Sequence, residues 1–311
     1  MAEVKRDKHE RRAARAIKGL TAFGTSSHKN KGDGKIRSFS TANQFEGIYR
    51  RVSHWLEKER IDTPLNKITQ AQAMRYLMGR ASDIQQKQWA NERNALQIHL
   101  RNIHSDKSIE LTRYTSERED PKNAPRAYSR EQIKQVIASC NDPKMKVAIA
   151  ATYQGGLRAK ELFTLCPESE RPVDHRVDEW RSDRFSGGRE HWVSYTVIGK
   201  GKLPREVRLS PEVHHMVSQL RLTESIGVKD RGIGYEQRYD LPGGQAFSQA
   251  FKGICDQAIG WSNGPHGLRH SFAQERLVEL MADGRTEEEA LPILAQETGH
   301  WAEANLRYYL R

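Results

Sequence analysis

Pro265-His266-Gly267-Leu268-Arg269-His270-Ser271-Phe272-Ala273 is the stretch that decides how this chain is read. It is followed by Thr298-Gly299-His300-Trp301 and by Tyr308-Tyr309. Two imidazoles, an arginine and a tyrosine make a poor hydrophobic core. They suit chemistry on a phosphate, because guanidinium, imidazole and phenol can bind charge, move protons and attack. Each signal alone is modest. An HxxRH pattern arises by chance, and a tyrosine on an amphipathic terminal helix is more often a packing residue.

The weight comes from what stands upstream. Gly155-Gly156-Leu157-Arg158-Ala159-Lys160-Glu161-Leu162 places an acid three residues after an arginine, just past a glycine pair that ends a helix. His191–Ile198 and Arg205–Leu209 alternate enough to be strands, and Gly199-Lys200-Gly201-Lys202-Leu203-Pro204 joins them. This predicts a β-hairpin with a basic tip.

Composition sets the bounds. The chain has 311 residues, enough for two ordinary domains, and a formal charge of +11. That balance, with a pI near 9.5, draws the chain to polyanions without separating DNA, RNA and anionic membrane. The mean hydropathy of −0.81 and the lack of a long apolar run argue against a transmembrane helix. No apolar leader stands at the start, so a cytoplasmic location is expected. Cys140, Cys166 and Cys255 are widely spaced and form no CxxC pair. They read as free, mostly buried thiols rather than as a disulfide framework or zinc site.

The expected fold class is mainly α with a small β-hairpin or sheet. Residues 1–35 carry ten Lys/Arg against four acids, over half the net charge, and read as a basic, flexible arm with a short helix around Ala13, Ile17 and Leu20. Residues 36–105 show helical spacing in three runs: Ala42 to Leu56, Ile68 to Met78, and Asp83 to His104. Residues 106–128, polar and carrying Pro121 and Pro125, read as a linker. From Ser129, a capping residue, a second domain runs to Arg311. Its helices are expected over about Ser129–Ile137, Pro143–Gly155, a short one from Arg158, Pro211–Leu222, Gly244–Ile259, His266–Met281 and Glu287–Gln296, with a last turn ending at Tyr309. Cys166 to Gly188 reads as polar and irregular.

Over Ser129 to Arg311 this sequence resembles the tyrosine recombinases, the phage-integrase family of DNA-breaking and rejoining enzymes. The arginine motif at Gly156–Leu162, the lysine hairpin at Val197–Lys202, the HxxR box at His266–Arg269, Thr298-Gly299-His300, and Tyr309 nine positions later carry the resemblance. It implies an α+β catalytic domain over 129–311 and a helical core-DNA-binding domain over 36–105. It also implies a catalytic set of Arg158, Lys200, His266, Arg269, His300 and Tyr309. Arg158 and Arg269 would clamp the nonbridging oxygens, with His300 as a further donor. Lys200 would protonate the leaving 5′ oxygen, His266 would assist on the tyrosine side, and Tyr309 would attack to give a 3′-phosphotyrosyl intermediate. Glu161 reads as an orienting partner of Arg158, His270 as structural, and His214 and His215 as surface residues. Spacing prefers Tyr309 over Tyr308, and Lys200 over Lys202.

Such chemistry conserves bond energy and calls for no cofactor and no metal. The implied partner is double-stranded DNA, clamped by both domains of a homotetramer on paired sites, with room for accessory DNA-bending proteins. The expected location is cytoplasmic and nucleoid-associated, with no membrane partner. Two other readings stay open: type IB topoisomerase-like relaxation, and a non-catalytic DNA-binding protein derived from a recombinase. The sequence departs from the family in two places. Two residues follow Tyr309, where members continue into a tail that docks on a neighbour, and Cys166–Gly188 is longer than the usual connection.

Overall fold

The computed structural model describes residues 7–23, 25, 33–114, 125–174, 180–299 and 306–310, and at Lys200 the backbone alone. The chain divides into two compact units, residues 1–122 and 123–311.

In the first unit, α1 (Lys8–Lys18), α2 (Phe39–Lys58), α3 (Gln70–Met78) and α4 (Gln86–Ile103) pack around one apolar core. Local sequence places the starts. Asp7 with Glu10, and Thr69 with Gln72, form reciprocal capping boxes, and Ser38 caps α2. Phe45, Ile48, Tyr49, Val52 and Leu56 line the buried stripe of α2, facing Trp89, Leu96 and Leu100 of α4. Buried Glu92 is held by Arg51, Arg80 and the Tyr76 hydroxyl at 2.9–3.0 Å.

The expected arm needs correction where it is described. Ala13, Ile17 and Leu20 are buried in this same core, and His9 Nδ1 lies 2.9 Å from the Ser53 hydroxyl on α2. Three apolar residues at helical spacing suffice to dock a short basic helix whose charges face outward. Residues 1–6, 24 and 26–32 of that stretch lie outside the described residues. Leu111 is also buried in this core, so the stretch from Asp106 is not linker throughout.

The second unit contains α5 (Arg130–Ser139), α6 (Pro143–Gln154), a 3₁₀ turn (Ala159–Thr164), β1 (Cys166–Pro167), β2 (Val193–Ile198) and β3 (Pro204–Leu209). After these come α7 (Pro211–Ser218), β4 (Arg221–Asp230), β5 (Ile233–Tyr239), α8 (Gly244–Ile259), α9 (His266–Ala282) and α10 (Glu287–Thr298). The short helix expected from Arg158 is the 3₁₀ turn, with Arg158 as its N-cap. Strands β1, β2 and β3 form an antiparallel sheet in that order, with Tyr195 opposite Val207 and Val197 opposite Arg205. The core-facing side of that sheet packs with α5, α6, α8 and the start of α9. A smaller cluster joins Phe272 and Leu280 of α9 to Leu291 and Leu294 of α10 and to Leu306 and Tyr309.

Three details differ from the sequence reading. The β4–β5 hairpin was not expected: β4 is largely exposed, and one of the two buried positions of β5 is the polar Gln237, so the apolar alternation that marks a strand is weak. Its two-residue turn, Arg231-Gly232, has positive φ at both positions (47° and 80°), as type I′ hairpin turns require. Within Cys166 to Gly188, of which residues 175–179 lie outside the described residues, long-range contacts hold the chain on both sides. Cys166 and Pro167 pair with β2, while the amides of Arg181 and Phe185 donate to Gln296 Oε1 and Glu297 Oε1 of α10, both at 2.8 Å. His214 is half-buried rather than on the surface, with its Nδ1 2.7 Å from the Tyr195 hydroxyl. The three cysteines are free and buried.

Candidate active site

Gly155-Gly156 lets the chain leave α6 and turn at once toward α9. Gly156 has φ +56°, and a β-carbon there would lie 2.6 Å from the Phe272 ring, so glycine is required twice over. The turn delivers Arg158, whose backbone N–H donates to Glu161 Oε2 (2.9 Å) and whose Nη1 donates to Glu161 Oε1 (2.7 Å). The Glu161 side chain is fully buried, whereas 19% of the Arg158 side chain is exposed. Arg158 is thereby aimed by an internal carboxylate with part of its surface still open.

Arg269 enters from the first turn of α9 and is fully buried. Its Nη1 donates to the Gly156 carbonyl and its Nη2 to the Thr298 carbonyl, which ties α9 to the Gly pair and to the end of α10. Nη1 also lies 3.9 Å from Glu161 Oε2. Burial, then Arg158 and Arg205, push the Arg269 pKa down, and Glu161 opposes them. Burial also works against ionisation of Glu161, but Arg205, Arg158 and Arg269 outweigh it and hold the carboxyl well below the usual range.

Tyr309 completes the cluster from the last described turn. Its ring is buried, 5.5 Å from the Arg269 guanidinium and 5.3 Å, centroid to centroid, from the His266 ring. His270, one helical turn after His266, packs its ring 4.6 Å from Tyr309 and donates from Nδ1 to the Tyr309 carbonyl at 3.3 Å. The pKa of His266 is pushed down to about 4 by burial, then by Arg269 and His270. That of His270 falls to about 4 chiefly through burial. Near neutrality both imidazoles are uncharged, so His266 can take up a proton.

No protein-family model matches the sequence, and no curated protein matches it. Solved structures do. A XerH site-specific recombinase bound to palindromic difH substrate superposes with a TM-score of 0.56 at 15% identity, covering 99% of this chain and 94% of that one. A lambda integrase (75-356) dimer bound to a COC′ core site gives 0.55 at 14%, covering 97% and 94%. The Tn1549 transposon integrase in complex with a circular intermediate DNA gives 0.53 at 14%, covering 97% and 95%. The chain has the tyrosine-recombinase fold.

Within this tyrosine-recombinase fold, four residues named from sequence, Arg158, His266, Arg269 and Tyr309, meet around Glu161 and the end of α10. Tyr308 touches the cluster only at its edge, its ring 5.7 Å from that of His270. It is 38% exposed, with the Arg126 guanidinium 5.3 Å from its ring. For Lys200 only the backbone is described, at the start of a short 3₁₀ turn between β2 and β3. A β-carbon on the preceding Gly199 would lie 3.8 Å from Glu161 Oε1, so that end of the hairpin abuts the cluster. His300 lies outside the described residues, and Gly299 before it packs against Arg205.

The sequence reading missed Arg205. It sits in β3 on the face shared with Val207 and Leu209 and opposite Val197, where alternation calls for an apolar side chain. It is 1% exposed. An arginine in register with core valines is the signal that was available, since a buried guanidinium needs an anionic partner.

Proposed function

We propose that this protein is a site-specific DNA recombinase or integrase that cuts and rejoins double-stranded DNA through a 3′-phosphotyrosyl intermediate. The observation that carries this reading is Tyr309 lying against both Arg269 and His266, in a cluster where three guanidiniums share the single carboxylate of Glu161. Such a cluster keeps a net positive charge beside a phenol, which suits a phosphodiester whose charge grows as it is attacked.

In this reading Arg158 and Arg269 bind the nonbridging oxygens, His266 takes the phenol proton, and the Tyr309 oxygen attacks phosphorus. The bond to the 5′ oxygen breaks, Lys200 supplies the proton that oxygen needs, and His300 adds a hydrogen bond to the phosphate. In the second step a new 5′ hydroxyl gives up its proton and attacks the phosphotyrosine, the bond from phosphorus to the Tyr309 oxygen breaks, and the phenol takes a proton back. The Tn1549 integrase, of the same fold, is named as a complex with a circular intermediate DNA, and XerH as bound to a palindromic substrate, which supports duplex DNA as the partner here. Residues 36–105, with α1 docked in the same core, act as the DNA-binding domain, and residues 129–311 act as the catalytic domain. The working form is a homotetramer on paired sites, in the cytoplasm with the nucleoid.

A duplex nicked close to the cleavage point traps the covalent intermediate, because the short product strand diffuses away. Wild type and Tyr308→Phe should form a denaturant-resistant protein–DNA adduct, and Tyr309→Phe should form none. An adduct lost only in Tyr308→Phe reverses the nucleophile assignment, and no adduct with any cognate duplex removes the enzymatic reading. Exchange between two sites on one plasmid, rather than loss of supercoils alone, separates recombinase from topoisomerase.

A further inference from the structure

We propose that Arg205 is a positioning residue for strand cleavage, bracing both Glu161 and the end of α10 so that Arg158 and the segment leading to His300 keep a fixed spacing. The proposal rests on the enzymatic reading above. Arg205 lies in the core-facing side of β3 and spends its guanidinium on protein acceptors, whereas Arg269 is the arginine packed against Tyr309, so Arg205 is read as acting through its neighbours.

Its contacts define what it does. Nη2 donates to Glu161 Oε2 at 2.7 Å and to the Gly156 carbonyl at 3.3 Å, while Nη1 donates to the Glu297 carbonyl at 2.7 Å. The other oxygen of Glu161 is the one that holds the Arg158 guanidinium. Arg205 therefore fixes the carboxylate that aims Arg158. With Arg205 gone, Glu161 Oε2 has a competing cation in Arg269, already 3.9 Å away. Rotation toward it would release Arg158 and cancel charge on Arg269.

The second half of the brace runs to α10. Arg205 and Arg269 both bond the Gly156 carbonyl, and they take the consecutive carbonyls of Glu297 and Thr298. Carbonyls at a helix end lack intrahelical partners, so these two guanidiniums serve as its cap and couple it to the arginine turn. The fit is close. Gly299 has φ +67°, and a β-carbon on it would lie 2.8 Å from Arg205 Cδ. A merely structural arginine here could be exchanged for an apolar side chain of similar length without loss of chemistry.

That contrast defines the test. Arg205→Met and Arg205→Lys are compared with wild type for thermal unfolding, for duplex affinity at fixed salt, and for single-turnover adduct formation on the nicked duplex. Arg205→Met should bind DNA within threefold of wild type and form adduct at least a hundredfold more slowly, and Arg205→Lys should recover about tenfold of that loss while staying at least tenfold slower than wild type. In a double-mutant cycle with Glu161→Gln, the double variant should be no slower than the worse single variant. A folded Arg205→Met that cleaves within threefold of wild type overturns the proposal, as does parallel loss of affinity and cleavage. If Arg205→Met does not fold, Arg205→Lys decides: unchanged affinity with at least tenfold slower cleavage supports the role, and cleavage within threefold refutes it. Adduct formation by wild type in the same assay separates failure of this proposal from failure of the enzymatic reading.

Discussion

His266 stands 5.3 Å from Tyr309, ring centroid to ring centroid, in an edge-on arrangement. The pair comes from the first residue of α9 and from the chain's last described turn, 43 positions apart in sequence. Its geometry suits an imidazole that takes a phenol proton as the tyrosine attacks.

His266→Gln is therefore expected to slow adduct formation by roughly 10²–10⁴-fold, the usual range for a lost general base. The folded pKa of about 4 places the acid limb of kcat/KM below pH 5, because the neutral imidazole is the active form and protonation removes it. A limb near 6.5 that persists in His266→Gln would sink the assignment.

Arg158→Ala should separate binding from chemistry. One lost phosphate contact lowers the slope of log affinity against log salt by about 1, while cleavage falls by roughly 10²–10³-fold as a donor to the developing charge disappears. Salt titrations of duplex binding, run beside single-turnover cleavage, check both numbers. Equal losses in the two assays would mean that Arg158 only holds DNA.

His270 is 1% exposed, with its pKa lowered from about 6.5 to about 4. The unfolded chain then binds the extra proton first as pH falls, so the stabilisation is complete above pH 6.5 and is lost as pH drops toward 4. Between pH 7.5 and 5 this one group should cost on the order of 2 kcal/mol. Urea unfolding across that range, with His270→Phe as comparison, should show the variant losing less stability than wild type. Equal losses would assign the pH response to other groups.

Gly156→Ala is expected to destabilise the protein by about 2–4 kcal/mol, combining positive-φ strain with the clash against Phe272. Gly188→Ala, with φ +100° and open space around the β-carbon, meets strain alone and should cost less. The two melting temperatures order the effects. A smaller loss at Gly156 would show that Phe272 moves aside freely.

Much of the helical architecture was legible because caps and apolar spacing are local. Ser129 with Gln132 starts α5, Thr69 with Gln72 starts α3, and the stripe from Phe45 to Leu56 buries one face of α2. The β2–β3 hairpin was legible from alternation around a Gly-Lys-Gly turn. The β4–β5 hairpin was not, since β4 is exposed along most of its length and β5 buries a glutamine beside a tyrosine, which leaves little periodic apolar signal. The docking of α1 was obscured by its charge, because five Lys/Arg among eleven residues conceal a stripe of Ala13 and Ile17.

For the opening stretch, sequence by itself determined the residue types and their order: His266 and Arg269 on one helical turn, a glycine before His300, and a tyrosine nine positions on. Chain connectivity cannot say which side chains meet across more than a hundred positions. Tertiary packing alone decided that Arg269 bonds Gly156, that Tyr309 packs between His266, His270 and the Arg269 guanidinium, and that Arg205 is drawn inside. The physical reason is Glu161, a carboxylate whose burial is tolerable only with guanidiniums around it, supplied from three separate segments of the chain.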